Sequence, residues 1–185
     1  MTTKTQKNQT LLRIILVVAG GIVVSLMVHH ISDPIHTADS FLGHLGISLL
    51  AVGIVTIIRG ISNRTVPNVI RAFLESIGIL AIIGGLYLLI HPIQGSITPI
   101  WFVSLFFVVY GIGDVLTGFT SHKAKAVKIE EISVGITILA LTGVLVAYGG
   151  LSLTLIIVLH SVNLLIMGLE IILAGVTHDK IITKS

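Results

Sequence analysis

Three acidic residues lie inside long apolar segments of the sequence, where a carboxylate needs a physical explanation. They are Glu75, Asp114 and Glu170. A charged side chain at the centre of a membrane helix costs about 2.5–3.5 kcal/mol on insertion scales. Glu75 lies four residues after Arg71, a spacing at which two helical side chains can pair. Asp114 and Glu170 lie deeper and at nearly the same depth, so we predict that they are the candidate proton-binding carboxylates.

Two interpretations of Asp114 and Glu170 stay open from the sequence. In the first, the two carboxyls bind a proton together, because burial disfavours their charged forms. In the second, the residues are structural, and each pairs with Arg59 or accepts hydrogen bonds from backbone and hydroxyl donors. The two interpretations differ in whether the acidic side chains have a basic partner within the helix bundle.

The segment 153–176 carries three polar residues within about 80° of one helical face. They are His160, Asn163 and Glu170. This row suits a short proton relay, with His160 and Asn163 as further candidate proton-binding residues. It equally suits hydrogen bonds between helices, which are the commoner use of such residues in membranes. Hydroxyl partners are available on other segments, for example Ser48, Ser104 and Thr137.

Histidines concentrate in and beside two of the polar connections. Five of the eight lie there, namely His29, His30, His36, His44 and His91. An imidazole gains its charge near pH 6.5, so His29, His30 and His36 are candidate pH-sensing residues, with solvated turn positions as the alternative. A metal site would need three or four ligands held in tetrahedral geometry, and nothing in this turn indicates one. We predict no bound metal and no cofactor.

The composition is that of a protein in a lipid bilayer. Of its 185 residues, 54% are hydrophobic and only 10% are charged, whereas about 25% are charged in a typical soluble domain. The formal net charge of +3 is scattered along the chain, which argues against nucleic acid as a partner. There is no cysteine, and Walker-type, HExxH and GxSxG motifs are lacking. We therefore expect a protein that is not an enzyme.

Six apolar segments are long enough to cross the membrane, and the connections between them alternate in charge. The segments are 11–28, 41–58, 72–90, 100–119, 132–148 and 153–176. All 11 lysines and arginines lie on one predicted side: in the two tails, at the start of the first segment, and in the second and fourth connections. The positive-inside rule then predicts that both termini are cytoplasmic. We predict an all-α integral membrane protein with a single membrane domain, 1–185, and short tails, 1–10 and 177–185.

A pattern of glycine and proline recurs twice, 58 and then 57 residues further along the chain. Gly20, Pro34, Gly53 and Gly60 recur as Gly78, Pro92, Gly111 and Gly118, and then as Gly135, Gly149, Gly168 and Gly175. The pattern predicts three repeated helical hairpins, about 11–60, 69–118 and 126–175. Glycines seven residues apart share a helical face and let a neighbouring backbone approach. The predicted helix-packing positions are Gly53, Gly60, Gly111, Gly118, Gly168 and Gly175.

The segments SIGILAIIGGLYLLIHP and WFVSLFFVVYGIGDVLTG, with weaker copies on either side, resemble the HdeD family. That family consists of small bacterial six-helix inner-membrane proteins built from a short two-helix repeat. The resemblance covers roughly residues 11–176. It implies the bacterial inner membrane and a role in resistance to acid or envelope stress, and it marks no catalytic residue. A small proton or solute transporter or channel is the main alternative, and a membrane scaffold for a partner protein or a homo-oligomer is another.

The charge distribution makes a prediction about topology. Cysteine variants at His36, Gln94 or Gly150 should react with an impermeant thiol reagent added outside cells, because their connections hold no basic residue. Variants at Arg64 or Lys125 should react only after the membrane is permeabilised. The reverse labelling pattern would show that the predicted orientation is wrong.

Overall fold

The described residues of the computed structural model, 3–90, 98–147 and 152–182, form six helices. These are α1 (Thr3–Ser32), α2 (Ala38–Ser62), α3 (Asn68–Ile90), α4 (Thr98–Thr120), α5 (Lys125–Ala147) and α6 (Leu153–Ile182). Each contains a span of 20 to 24 residues that is long and apolar enough to cross a membrane. The prediction of an all-helical chain with six long apolar segments is confirmed. This architecture is that of a multi-pass membrane protein.

The bundle has two ends, and the short connections between helices lie at these ends. Residues 33–37 join α1 to α2 next to His29, His30 and His44, and we call this the histidine end. Residues 63–67 and 121–124 join α2 to α3 and α4 to α5, and we call this the basic end. Pro92, Gly149 and His91 lie outside the described residues.

The two loops of the basic end have identifiable local causes. The side chain of Asn63 accepts hydrogen bonds from the backbone and hydroxyl of Thr65, which forms a tight Asx-type turn. Pro67 directly precedes α3, and its fixed φ suits the start of a helix. The backbone N–H of His122 donates to the carbonyl oxygen of Thr65 at 3.1 Å. This last hydrogen bond ties the two loops together.

The helices form a closed ring. Each helix contacts its neighbours in the chain, and α1 also contacts α6. The most extensive contacts are those of α2 with α3, α4 with α5, and α1 with α6. These pairs are not the predicted hairpins, because each of them joins one predicted hairpin to another.

Paired glycines explain why these three helix pairs approach most closely. A Cβ atom added to Gly53 would lie 2.7 Å from the carbonyl oxygen of Gly78. The same construction at Gly111 gives 2.9 Å to the oxygen of Gly135, and at Gly20 it gives 2.6 Å to the oxygen of Gly168. Any larger residue would push the two backbones apart.

The second glycine of each predicted pair lies nearer the basic end. A Cβ added to Gly60 would lie 3.1 Å from the carbonyl oxygen of Arg71. Added to Gly118, it would lie 2.9 Å from the carbonyl oxygen of Lys128. Added to Gly175, it would lie 3.3 Å from that of Arg13. Arg71 donates its guanidinium hydrogen bonds to the carbonyl oxygens of Gly60 and Ile61 at the end of α2. The predicted pair of Arg71 with Glu75 does not form, because the guanidinium satisfies these carbonyl groups instead.

The outside of the ring is apolar. Large aliphatic and aromatic side chains on every helix are exposed, among them Ile14, Ile54, Ile83, Leu105, Ile136 and Leu169. A water-soluble protein rarely leaves so many apolar side chains uncovered. The interior contains a separate apolar core that includes Met27, Leu49, Phe107, Leu164 and Met167.

Two glycines of α5 make a matched test of this packing. Gly135→Leu should lower the free energy of unfolding in detergent by about 1–3 kcal/mol, because its side chain would collide with α4. Gly143→Leu should have little effect, because an added Cβ there meets nothing within 4 Å. Thermal denaturation of the two purified variants measures the difference, and equal stability would contradict the packing role.

Candidate functional site

Arg59 of α2 connects three helices near the basic end. Its Nη1 atom lies 2.9 Å from Glu170 Oε1 on α6 and donates to the hydroxyl of Tyr110 at 2.9 Å. Its Nη2 atom donates to Asp114 Oδ1 on α4 at 3.2 Å. The Arg59 side chain is only 16% exposed, so these are interior contacts.

Asp114 and Glu170, the two carboxylates singled out from the sequence, therefore meet at one guanidinium. Their side chains are 1% and 6% exposed. Of the two interpretations left open, the structure shows the pairing with Arg59. The one guanidinium is thus shared by two carboxylates.

A third buried carboxylate, Glu131 of α5, completes the group. Its Oε1 atom lies 3.8 Å from Arg59 Nη2 and accepts a hydrogen bond from Lys123 Nζ. Lys123 lies in the loop 121–124. We call the set of six the ion cluster: Arg59, Tyr110, Asp114, Lys123, Glu131 and Glu170.

Tyr110 links the guanidinium to one carboxylate. Its hydroxyl accepts from Arg59 and donates to Glu170 Oε2 at 3.1 Å. Tyr110 lies four residues before Asp114, so both side chains project from the same face of α4. The tyrosine thereby holds the Glu170 carboxylate against Arg59.

The ion cluster carries more acid than base. With every group ionised, three carboxylates face two cations, which leaves one negative charge in the interior. Two carboxylate oxygens, Asp114 Oδ2 and Glu131 Oε2, are buried without a hydrogen-bond partner. A buried charge that is neither paired nor hydrogen-bonded is strongly unfavourable. One proton on Asp114 or Glu131 would neutralise the cluster.

The polar row on α6 forms hydrogen bonds to other helices. His160 Nδ1 donates to the carbonyl oxygen of Ile156 at 2.9 Å, and its Nε2 accepts from the Ser104 hydroxyl at 3.3 Å. The side-chain nitrogen of Asn163 donates to Thr142 Oγ1 at 3.2 Å. The row therefore contacts α4 and α5 before it reaches the ion cluster at Glu170. Of the other predicted partners, Thr137 bonds within its own helix, and Ser48 Oγ is buried without a partner.

The histidines singled out from the sequence separate into two groups. His36 Nδ1 contacts Asp33 Oδ1 at 2.8 Å in the exposed turn. This side-chain hydrogen bond holds the pKa of Asp33 below its ordinary value. His30 points into the bundle instead, and its Nε2 lies 2.8 Å from His44 Nδ1 on α2. His29 lies beside this pair, with its ring centroid 5.8 Å from that of His30.

Three members of the site, Glu131, Tyr110 and Lys123, were not predicted from the sequence. Two of them had a detectable signal. Glu131 lies four residues before Gly135, and Tyr110 lies four residues before Asp114, so helical spacing puts each on the same face as a residue already singled out. No corresponding signal marks Lys123, because its loop position does not define which carboxylate it reaches. Within residues 3–90, 98–147 and 152–182, no group of three or more histidine and acidic side chains is placed to hold a metal ion.

The fold and the site define a class: helical multi-pass membrane proteins with a buried, partly uncompensated cluster of ionisable side chains. A family model described as a short repeat of unknown function, DUF308, matches residues 76–129. The match covers most of α3, all of α4 and the start of α5. It agrees with the short-repeat resemblance seen in the sequence. The comparisons with curated proteins and with solved structures give no match.

The charge balance of the ion cluster makes a prediction about stability. Arg59→Met should lower the free energy of unfolding by about 3–5 kcal/mol, because it leaves three buried carboxylates with one cation. The loss should shrink as the pH falls, because protonation neutralises the carboxylates. Arg64→Met, at an exposed position of the basic end, should change stability by no more than about 0.5 kcal/mol.

Denaturation at several pH values compares these variants. Adding Glu170→Gln to Arg59→Met should recover part of the lost stability, since one uncompensated charge is then removed. A double variant that is no more stable than Arg59→Met would show that the two side chains are not coupled.

Proposed function

We propose that this chain is an HdeD-type protein of the bacterial inner membrane, that it is not an enzyme, and that it supports tolerance of acid or envelope stress by binding a proton at the ion cluster. The observation that carries the proposal is the uncompensated negative charge of that cluster, with its two unpartnered carboxylate oxygens. The match of residues 76–129 to a short-repeat family supports the family assignment. The stress role itself comes from the family resemblance.

The contacts of the three carboxylates support a particular assignment of the proton. Asp114 and Glu131 share Arg59 Nη2 through their Oδ1 and Oε1 atoms, and each has its other oxygen buried and unpartnered. Glu170, in contrast, has both oxygens engaged, one by Arg59 and one by Tyr110. Asp114 and Glu131 are therefore the proton acceptors, and Glu170 stays ionised as the counter-charge of Arg59.

The position of Glu131 favours proton exchange between the ion cluster and the water at the basic end. Glu131 lies in the second turn of α5 and contacts Lys123 in the adjoining loop. Under the positive-inside rule the basic end is cytoplasmic. We therefore propose that the termini are cytoplasmic and that the ion cluster responds to acidification of the cytoplasm.

We also infer that the chain consists of three copies of one two-helix unit. The glycine spacing of the sequence supports this inference, as do the equivalent close contacts of Gly53 with Gly78, Gly111 with Gly135, and Gly168 with Gly20. In this arrangement the third copy packs against the first. The ion cluster then breaks the symmetry, because Arg59 and the three carboxylates have no ionisable counterparts at the equivalent positions of the other copies.

Proton transfer across the membrane is a second candidate function, and the polar row of α6 favours it. Ten residues separate His160 from Glu170, about 15 Å at the helical rise. Asn163 is the polar α6 residue between them that bonds to another helix, and its partner Thr142 donates onward to the backbone of its own helix. The hydrogen bonds of Asn163 and Thr142 lead to the backbone of α5 and not towards the ion cluster, so proton binding has more support than conduction.

Infrared spectroscopy of the protein in lipid vesicles tests proton binding. A protonated buried carboxyl group gives a carbonyl band that an ionised carboxylate lacks. The band should grow as the pH is lowered, and it should weaken or shift in Asp114→Asn and in Glu131→Gln. Glu130→Gln is the matched control, because Glu130 is the exposed neighbour of Glu131 on the same helix. A band unaffected by Asp114→Asn and Glu131→Gln would show that the ion cluster binds no proton.

Survival at low pH tests the physiological part. In a strain deleted for this gene, Glu130→Gln should restore survival, and Asp114→Asn should restore less at equal expression. Normal survival with Asp114→Asn would contradict the stress role assigned to the site. Vesicles with an imposed pH gradient distinguish the second candidate: a proton flux that requires His160 would favour transport over binding.

A further inference from the structure

A second group of ionisable side chains lies at the opposite end of the bundle from the ion cluster. His30 of α1 is completely buried, and its Nε2 lies 2.8 Å from Nδ1 of the partly buried His44. The ring of Phe41 packs edge-on against His30, with 5.2 Å between the ring centroids. The other nitrogen of His30, Nδ1, is buried without a hydrogen-bond partner.

The hydrogen bond between these two rings limits their protonation. An N–H···N bond needs one nitrogen that carries a hydrogen and one that is bare. The neutral pair satisfies this requirement when His30 donates from Nε2 to His44 Nδ1. His30 Nδ1 then carries no hydrogen, and no buried N–H is left without an acceptor.

One added proton disturbs the arrangement in either of two ways. After protonation the two rings share three N–H hydrogens. If the bond stays intact, one of them lies in the bond and the other two must lie on His30 Nδ1 and His44 Nε2. The N–H at His30 Nδ1 is then buried without an acceptor. That orphaned donor costs about 1–3 kcal/mol. If His30 Nδ1 stays bare, both facing nitrogens carry hydrogens, and the bond breaks.

The surroundings offer little to stabilise a positive charge on the pair. From α1, the ring of His29 lies 6.5 Å from that of His44. From α6, His160 lies behind Phe41, with its ring 6.4 Å from the phenyl ring, and it is hydrogen-bonded to Ile156 and Ser104. In the turn, Asp33 is engaged by His36. Within the described part of the chain, neither ring of the pair is hydrogen-bonded to a carboxylate.

We propose that His30 and His44 form a second proton-binding site, at the histidine end, in which one bound proton breaks the hydrogen bond and separates the end of α1 from the start of α2. The helix contacts permit this movement. The contacts of α1 with α2 are less extensive than those of α1 with α6 and of α2 with α3, so the two helices can part while their glycine contacts remain. The proposal does not rest on the function proposed for the ion cluster. Among the histidines singled out from the sequence, it involves His30 and its partner His44 and not His36, which contacts Asp33 in the turn.

Nuclear magnetic resonance of the protein in bilayers, with ¹⁵N-labelled histidine, tests the bond directly. Magnetisation transfer between His30 Nε2 and His44 Nδ1 should be present at neutral pH and lost on acidification. Transfer that persists after acidification would overturn the proposal.

Spin labels test the movement. The chain has no cysteine, so labels can be attached selectively through Val28→Cys on α1 and Ile47→Cys on α2, both at exposed positions. The distance between the labels should lengthen at acidic pH in the parent and in the control His36→Gln, whose histidine lies in the exposed turn. It should stay constant in His44→Gln, because glutamine keeps a hydrogen-bonding side chain and does not titrate.

The remaining outcomes are also informative. If His44→Gln does not fold, His44→Phe supplies an apolar ring of similar shape, and the same constant distance is expected. A distance that lengthens equally in either folded His44 variant overturns the proposal, and so does one that stays constant in the parent. Loss of the change in His36→Gln would place the titrating group in the turn and contradict the assignment to the buried pair.

Discussion

Close backbone contact at paired glycines is the constraint on which the rest of this structure depends. In lipid no hydrophobic force drives helices together, so association relies on van der Waals contact and hydrogen bonds between helices. Gly53 with Gly78, Gly111 with Gly135, and Gly20 with Gly168 provide that contact for three helix pairs. Because the third pair joins the first helix to the last, the chain closes into a ring. The closed ring in turn brings α4 and α6 close enough to α2 for the side chain of Arg59, on α2, to reach both.

The ion cluster follows from that convergence. Arg59 is long enough to contact Asp114 on α4 and Glu170 on α6, and Glu131 of α5 joins from the remaining side. Two cations do not balance three carboxylates in an apolar interior. Protonation is the simplest way to remove the excess charge, since it requires no bound metal ion and no movement of a helix. The proposed response to pH rests on this cost of full ionisation in an apolar interior.

In the two proposals made above, the ends of the bundle respond to acid in opposite ways. A proton on the ion cluster removes a charge, so acid relieves an unfavourable interaction at the basic end. A proton on the His30–His44 pair adds a charge to a buried site without a carboxylate partner among the described residues, so acid disrupts packing at the histidine end. In this proposal a fall in pH stabilises one end of the ring and loosens the other. The glycine contacts between them hold the helices in place while this happens.

Local sequence patterns were sufficient for the elements of the fold and for part of the site. Hydropathy predicted six helices, glycine spacing predicted which helical faces pack closely, and depth in the apolar segments singled out Asp114 and Glu170. These are properties of a single helix, and a helix repeats every 3.6 residues whatever lies beside it. Only the tertiary structure decided that the glycine faces join one hairpin to the next, that Glu131 and Tyr110 complete the ion cluster, and that His30 pairs with His44 while His36 stays in the turn. Periodicity defines a face, but the neighbour that the face meets is set by the packing of all six helices around the ring.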